Sequence, residues 1–239
     1  MEHTVLLWPD GNPDGWHAFE PEGVEISPEG FRLIRPVEQP RLTFHGDWKL
    51  PDPKVLILPG GGYWLVAADH EGEWVAEWLA RHGVPAAALT YRVPNPDGDE
   101  PKHRIPLQDA TEAWRIVSAL GATGVMGFSA GGHLAASLAH QEETVQALAL
   151  IYPAYLLADS GAELLPEVAP LPHQTAFLVH HEHDLVPLQN SLSYFRAVQP
   201  ASKQLHLLGG DLHGGGIRLG DQLAPWADDL ATWFLEVCS

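Results

Sequence analysis

Six short segments, apolar on both faces of an extended chain, restrict the fold more than any other feature: residues 54–58, 85–91, 125–128, 147–152, 175–179 and 204–208. A strand with two apolar faces needs cover on both sides, which suits a parallel strand flanked by helices and not a half-exposed antiparallel one. Helical patterns fall between these segments. In residues 71–82, Trp74, Val75, Trp78 and Leu79 recur at helical spacing, which makes the two tryptophans core candidates. The segments 106–120 and 187–198 open on Pro106 and Pro187, which the first turn of a helix accepts, and residues 223–237 supply a closing helix. The alternation predicts an α/β fold, a doubly wound and mostly parallel sheet, in one domain spanning residues 1–239.

The first 50 residues read differently, with Pro and Gly punctuating short β-like pieces at 4–8 and 41–45. They predict an antiparallel N-terminal edge on the parallel sheet. Two connections are long for such a fold, 92–104 and 153–174. Both are expected to border a site, because long loops in compact α/β units are usually functional.

Thirteen Lys and Arg stand against 31 Asp and Glu, a formal charge of −18. That field repels phosphate backbones and anionic lipid, so neither nucleic acid nor a membrane is expected as a partner. Met1-Glu2-His3-Thr4 has no basic character, and the apolar run after it stops at Pro9, which predicts no export signal and a cytoplasmic location. The longest apolar stretch, 147–158, is broken by Pro153 and falls short of the roughly 18 residues of a membrane span. The single cysteine, Cys238, excludes an intrachain disulfide and Cys-rich zinc sites.

Gly127-Phe128-Ser129-Ala130-Gly131 is a G-x-S-x-G pentapeptide that follows an apolar strand and precedes the helical run Leu134-Ala135-Ala136-Ser137-Leu138-Ala139. On such a strand-to-helix turn the serine Oγ projects above the sheet, and the glycines remove Cβ atoms that would collide. A nucleophilic Ser129 needs an acid and then a histidine beyond the ends of later strands. Asp184, three residues ahead of the Pro187 helix, is the preferred acid, with Glu182 and Asp211 as alternatives. His213, in the Gly-rich loop after residue 208, is the preferred base, whereas His206 lies inside its strand and is expected to be packed. Gly60-Gly61-Gly62-Tyr63 can present unobstructed amides at the same end of the sheet, so Gly61, Gly62 and Ala130 are the candidate oxyanion donors. Tyr63 and Trp64 are candidate substrate contacts. His180, His181, His183 and Asp184 have types that zinc accepts, but no further ligand is evident and Asp184 is wanted elsewhere, so no metal is expected. His133 is expected to be a buried helix histidine bonded to backbone.

These residues, with Leu58-Pro59-Gly60-Gly61-Gly62-Tyr63, Asp69-His70-Glu71-Gly72-Glu73, Leu89-Thr90-Tyr91-Arg92 and Pro106-Leu107-Gln108-Asp109, resemble the α/β-hydrolase carboxylesterases related to acetylxylan esterases and other carbohydrate esterases. The resemblance covers roughly residues 50–235. It implies a Ser-Asp-His esterase acting on short acyl esters, acetyl above all and carried by sugars or xylo-oligosaccharides, with the hole lined by the glycine run and no cofactor. Where that family often has Gly-Gly-His-Gly, Asp211 and Leu212 intervene before His213. A serine hydrolase of another bond (peptide, lactone or thioester) and a non-catalytic binding protein on the same fold are the alternatives.

Overall fold

The computed structural model describes residues 3–49, 53–96, 99, 101–199, 202–219 and 222–238. The readings of Met1 and Glu2, and of Asp97, Gly98 and Glu100 in the first long connection, lie outside the described residues. Eight strands form the main sheet: β1 (His3–Leu6), β2 (Arg41–His45), β3 (Val55–Leu58), β4 (Ala86–Thr90), β5 (Gly124–Phe128), β6 (Ala147–Ile151), β7 (Thr175–His181) and β8 (Gln204–Leu208). Their order across the sheet is β1-β2-β4-β3-β5-β6-β7-β8. The strand β2 runs antiparallel to both β1 and β4, and the pairs from β4 to β8 are parallel.

Among the described residues five α-helices cover the sheet, α1 (Trp74–Arg81), α2 (Arg104–Ser118), α3 (Ala130–Gln141), α4 (Gln189–Ala197) and α5 (Ala227–Val237). The two-residue period of the strands divides the core cleanly. Leu56, Leu58, Val125 and Leu148 meet Ala113, Trp114, Leu134 and Leu138 of α2 and α3 on one face. Val55, Ile57, Met126 and Phe128 share the other with Val75, Leu79, Trp233 and Phe234 of α1 and α5. Trp78 is in this second core, while Trp74 is half-buried under the Arg218 guanidinium.

The N-terminal segment is more elaborate than an edge. Besides β1 and β2, Val24–Ile26 and Arg32–Ile34 pair as a hairpin, and the second of these pairs with Val66–Ala67 to make a separate three-stranded antiparallel sheet. Asp69 anchors the hairpin by accepting from the Arg32 amide at 2.7 Å and from its Nε at 2.9 Å, and Glu73 accepts from Nη2 at 2.7 Å.

The connection at 92–104 does not border the cavity described below, since none of its described residues lines it. It packs instead on the N-terminal segment. Arg92 and Asp109 form an ion pair with both side chains fully buried, Nη2 to Oδ1 2.8 Å, and the Arg92 amide donates to Oδ2 at 2.7 Å. Trp8 Nε1 donates to the same carboxylate at 2.8 Å, and the Trp16 ring lies 5.2 Å from the guanidinium carbon. Asn95 Oδ1 accepts from the Phe19 amide. A buried ion pair recruits whatever chain can supply its remaining donors and cover, and here that is residues 8–19. No described helix is long and apolar enough to cross a membrane.

Candidate active site

The chain leaves β5 and turns sharply at Ser129, whose φ of 49° and ψ of −117° no strand or helix would allow. The turn depends on its glycines. A Cβ on Gly127 would stand 2.1 Å from the Gly131 carbonyl oxygen, and one on Gly131 would stand 2.1 Å from that of Leu58. The strained serine is therefore over-determined by its surroundings, as such conformations must be.

Ser129 Oγ lies 2.9 Å from His213 Nε2, and His213 Nδ1 lies 2.9 and 3.0 Å from the two oxygens of Asp184. A carboxylate can only accept, so it holds the proton on Nδ1 and leaves the Nε2 lone pair facing the serine hydroxyl. The Asp184 side chain is fully shielded from solvent and also accepts from the Val186 amide at 2.8 Å. His180 supports this loop from below: Nε2 donates to the Val186 carbonyl at 3.0 Å and Nδ1 accepts from Ser191 Oγ at 2.8 Å. Burial holds the His180 imidazole below its ordinary pKa, in keeping with a neutral structural role.

The Gly60-Gly61-Gly62-Tyr63 loop leaves β3 at the same end of the sheet. Gly61 and Gly62 have φ of 127° and 63°, and a Cβ on Gly61 would fall 2.0 Å from the Leu65 carbonyl oxygen. Both glycines line one cavity of about 390 Å³ together with Ser129 and His213. Ala130 opens α3, where its amide has no intrahelical acceptor. The loop is pinned from three sides: Tyr91 Oη donates to the Pro59 carbonyl, Glu71 Oε2 accepts from the Gly60 amide at 2.9 Å, and Tyr63 Oη meets His133 Nδ1 at 2.8 Å. Burial pushes His133 down to about 3 and Tyr63 up, so the neutral imidazole accepts and the phenol donates.

That contact corrects the sequence expectation for His133. His133 bonds the Tyr63 side chain, not backbone, because α3 satisfies its own carbonyls and the oxyanion loop supplies a better donor. Tyr63 is 5% exposed with its hydroxyl occupied, and it does not line the cavity. Trp64 is 54% exposed and lies outside the cavity lining, with Lys102 Nζ 6.0 Å from its ring centre. Tyr155, also 54% exposed, does line the cavity. Tyr155 and Trp64 both flank Gly62, coming within 3.9 and 3.4 Å of where its Cβ would be.

The remaining candidates separate. Glu182 and Asp211 are exposed, and His206 stacks on Phe177 at 4.5 Å. Both His180 nitrogens are occupied, His181 Nδ1 meets the Gly209 carbonyl and His183 is exposed. Among the described residues no three His, Cys, Asp or Glu side chains gather to hold a metal ion.

Two parts of the site escape sequence reading. Phe31 and Leu33, from the N-terminal hairpin, line the cavity together with Leu65, Tyr155, Leu185 and Val186. The signal is present as Ser27-Pro28-Glu29-Gly30, a turn closed by the Gly30 amide on the Ser27 carbonyl with Gly30 at φ 89°. Glu71 also lines the cavity although it is only 2% exposed, and its second oxygen accepts from Tyr152 Oη at 2.7 Å.

A family model described as alpha/beta hydrolase fold matches residues 55–203. The chain is 34% identical over 93 residues to an acetylxylan esterase of Xylanibacter ruminicola, which covers 35% of this chain and 18% of that protein. It is 37% identical over 93 residues to endo-1,4-beta-xylanase B of Butyrivibrio fibrisolvens, covering 36% and 14%. The chain thus spans less than a fifth of the length of these curated relatives. Among solved structures it is similar to an acetyl ester-xyloside bifunctional hydrolase from Caldicellulosiruptor lactoaceticus, with a TM-score of 0.66 and 28% identity over 98% of this chain and 96% of that one. The strand order, the serine at the β5–α3 turn and the matched family agree: this chain belongs to the alpha/beta hydrolase fold family.

Proposed function

We propose that this chain is a serine carboxylesterase for short-chain acyl esters, acetyl above all, carried by a saccharide. The observation that carries the reading is the continuous hydrogen-bonded chain from Ser129 through His213 to Asp184, opening onto a cavity shared with Gly61 and Gly62. In this reading His213 Nε2 takes the Ser129 proton as Oγ attacks the ester carbonyl, and Asp184 orients the imidazole and stabilises its cation. The tetrahedral oxyanion is held by the Ala130 amide and by those of Gly61 or Gly62. His213 then protonates the leaving alcohol, and water repeats the sequence on the acyl-enzyme.

The short-acyl preference draws support from cavity size and walls. About 390 Å³ is near the lower end of small-molecule sites, which run from about 300 to 1,000 Å³, and it must seat both halves of the ester. Phe31, Leu33 and Leu65 contribute apolar bulk to its lining. The saccharide reading rests on the names of the similar proteins and on Trp64 and Tyr155, two half-exposed rings beside the oxyanion loop that offer flat apolar faces to a sugar.

A p-nitrophenyl ester series tests the acyl preference, with acetylated xylo-oligosaccharide as the saccharide substrate. The expected result is kcat/KM falling from acetate to octanoate, and deacetylation of the oligosaccharide. An apolar tunnel would gain about 1–3 kcal/mol for each methylene it accommodates, so a maximum at eight carbons or beyond overturns the acetyl reading. Gly61→Val is expected to lower kcat by about 10²–10³ with KM changed much less, the size of losing one oxyanion donor. The loop cannot keep its path when a Cβ must sit 2.0 Å from the Leu65 carbonyl oxygen. Wild-type kcat in this variant removes Gly61 from the oxyanion assignment.

A further inference from the structure

Glu71 is a buried carboxylate that the proposed chemistry does not use. It sits in a π-helical turn, Asp69–Glu73, that precedes α1 and buries four of its five residues. Extra-residue turns of this kind are frequent at functional sites. Among the described residues its oxygens meet a backbone amide and a phenol and form no ion pair with Lys or Arg. Burying a carboxylate without a cation is unfavourable, so the position demands that the contacts themselves be worth keeping.

Those contacts lead to both halves of the catalytic arrangement. Oε2 accepts from the Gly60 amide at 2.9 Å, at the root of the oxyanion loop. The approach is close enough that a Cβ on Gly60 would fall 2.5 Å from Oε2 and 3.0 Å from Ser129 Cβ. Oε1 accepts from Tyr152 Oη at 2.7 Å, and that hydroxyl accepts in turn from the Gly216 amide at 2.8 Å, three residues beyond His213. The Tyr152 ring lies 4.9 Å from the His213 ring, and its residue is held at φ 39°, a conformation a non-glycine side chain adopts only under constraint. Burial and the Glu71 charge push the Tyr152 hydroxyl well above the ordinary range, so it remains a donor. The same turn holds the histidine loop a second time, through the Ile217 amide on the His70 carbonyl at 3.3 Å.

We propose that Glu71 is a positioning residue: one carboxylate fixes the oxyanion loop through Gly60 and the histidine loop through the Tyr152 hydroxyl and Gly216, setting the two loops relative to each other before substrate arrives. The proposal rests on the esterase reading above. It separates Glu71 from Ser129, His213 and Asp184, since the carboxylate acts through other groups. The effect belongs to the transition state, where a donor or base displaced by a fraction of an ångström loses rate and not ground-state affinity.

The test uses three variants of the full chain, Glu71→Gln, Tyr152→Phe and the double replacement, assayed on p-nitrophenyl acetate beside wild type and Ser129→Ala, with thermal unfolding followed in parallel. Each single variant is expected to lose about 10- to 100-fold in kcat with KM within about 3-fold, because the link fails while the cavity remains. The double variant is expected to match the worse single one, since both break one connection. Glu71→Gln retains the shape of the side chain and Tyr152→Phe removes a single oxygen, and the unfolding curves identify a variant whose loss of kcat comes from failure to fold. Three outcomes overturn the clamp: wild-type kcat in both single variants, losses that multiply in the double, or a KM rise equal to the kcat loss. In each of the three, wild-type turnover that vanishes in Ser129→Ala leaves the esterase reading standing without the clamp. Absence of wild-type turnover removes the esterase reading, and the clamp with it.

Discussion

Ser129→Ala is expected to reduce kcat on p-nitrophenyl acetate by about 10³–10⁶, His213→Ala by a similar factor, and the double replacement scarcely further. The geometry dictates the non-additivity. The 2.9 Å contact between Oγ and Nε2 is useful only with both ends present, so removing either ends the proton transfer. Asp184→Asn tests the third member differently. Its amide can present a donor to Nδ1, which favours the wrong imidazole tautomer and is expected to cost on the order of 10⁴ in kcat with the fold intact. A fluorophosphonate probe should label wild type and Asp184→Asn at very different rates and Ser129→Ala not at all. Near-wild-type turnover in Ser129→Ala would exclude the mechanism.

The largest expected loss of stability lies away from the cavity. Asp109→Ala removes the partner of a fully buried guanidinium, along with the acceptor for Trp8 Nε1 and the Arg92 amide. Stranding a buried charge in this way costs about 3–5 kcal/mol. In a chain of this size that corresponds to a fall in Tm of roughly 10 °C. Chemical denaturation should show the loss in the midpoint, and kcat measured well below the new Tm should stay near wild type because neither residue reaches the cavity. The paired replacement Arg92→Met with Asp109→Leu should recover part of the stability by removing both charges together. An unfolding free energy within about 1 kcal/mol of wild type for Asp109→Ala would mean that water reaches the guanidinium.

What is legible in the sequence is what physics makes local. The strands β3, β5, β6 and β7 declare themselves because Val55 to Leu58 and their counterparts have nowhere to put two apolar faces except between helices. Ser129, Asp184 and His213 stand out because each lies just past a strand end, and the fold brings the C-terminal ends of parallel strands together. Glu71 and Tyr152 touch across 81 positions of sequence, with no pattern at either end to announce it. Tyr63 and Tyr155 cannot be ranked as wall residues from sequence, since a positive φ at each turns the side chain away from the direction that strand alternation suggests. The hairpin at Val24–Ile26 and Arg32–Ile34 is obscured because Val24 and Ile26 are 56% and 59% exposed, so no buried stripe marks them.

The separate three-stranded sheet has an implication for how selectivity in such a molecule could change. Phe31 and Leu33 stand on a hairpin joined to the rest of the chain by pairing with Val66 and Ala67 and by the Arg32 anchor to Asp69 and Glu73, and they share no strand with Ser129. Its tip can be lengthened, shortened or recoded without a residue of the β5–α3 turn moving. Reaction chemistry and ligand preference are thereby heritable as independent modules. A library confined to residues 27–31 and 33, with Arg32 kept so that the Asp69–Glu73 turn stays anchored, should yield descendants with altered acyl or alcohol tastes and an unimpaired nucleophile, whereas variation at Gly60 or Gly131 yields mostly inactive progeny.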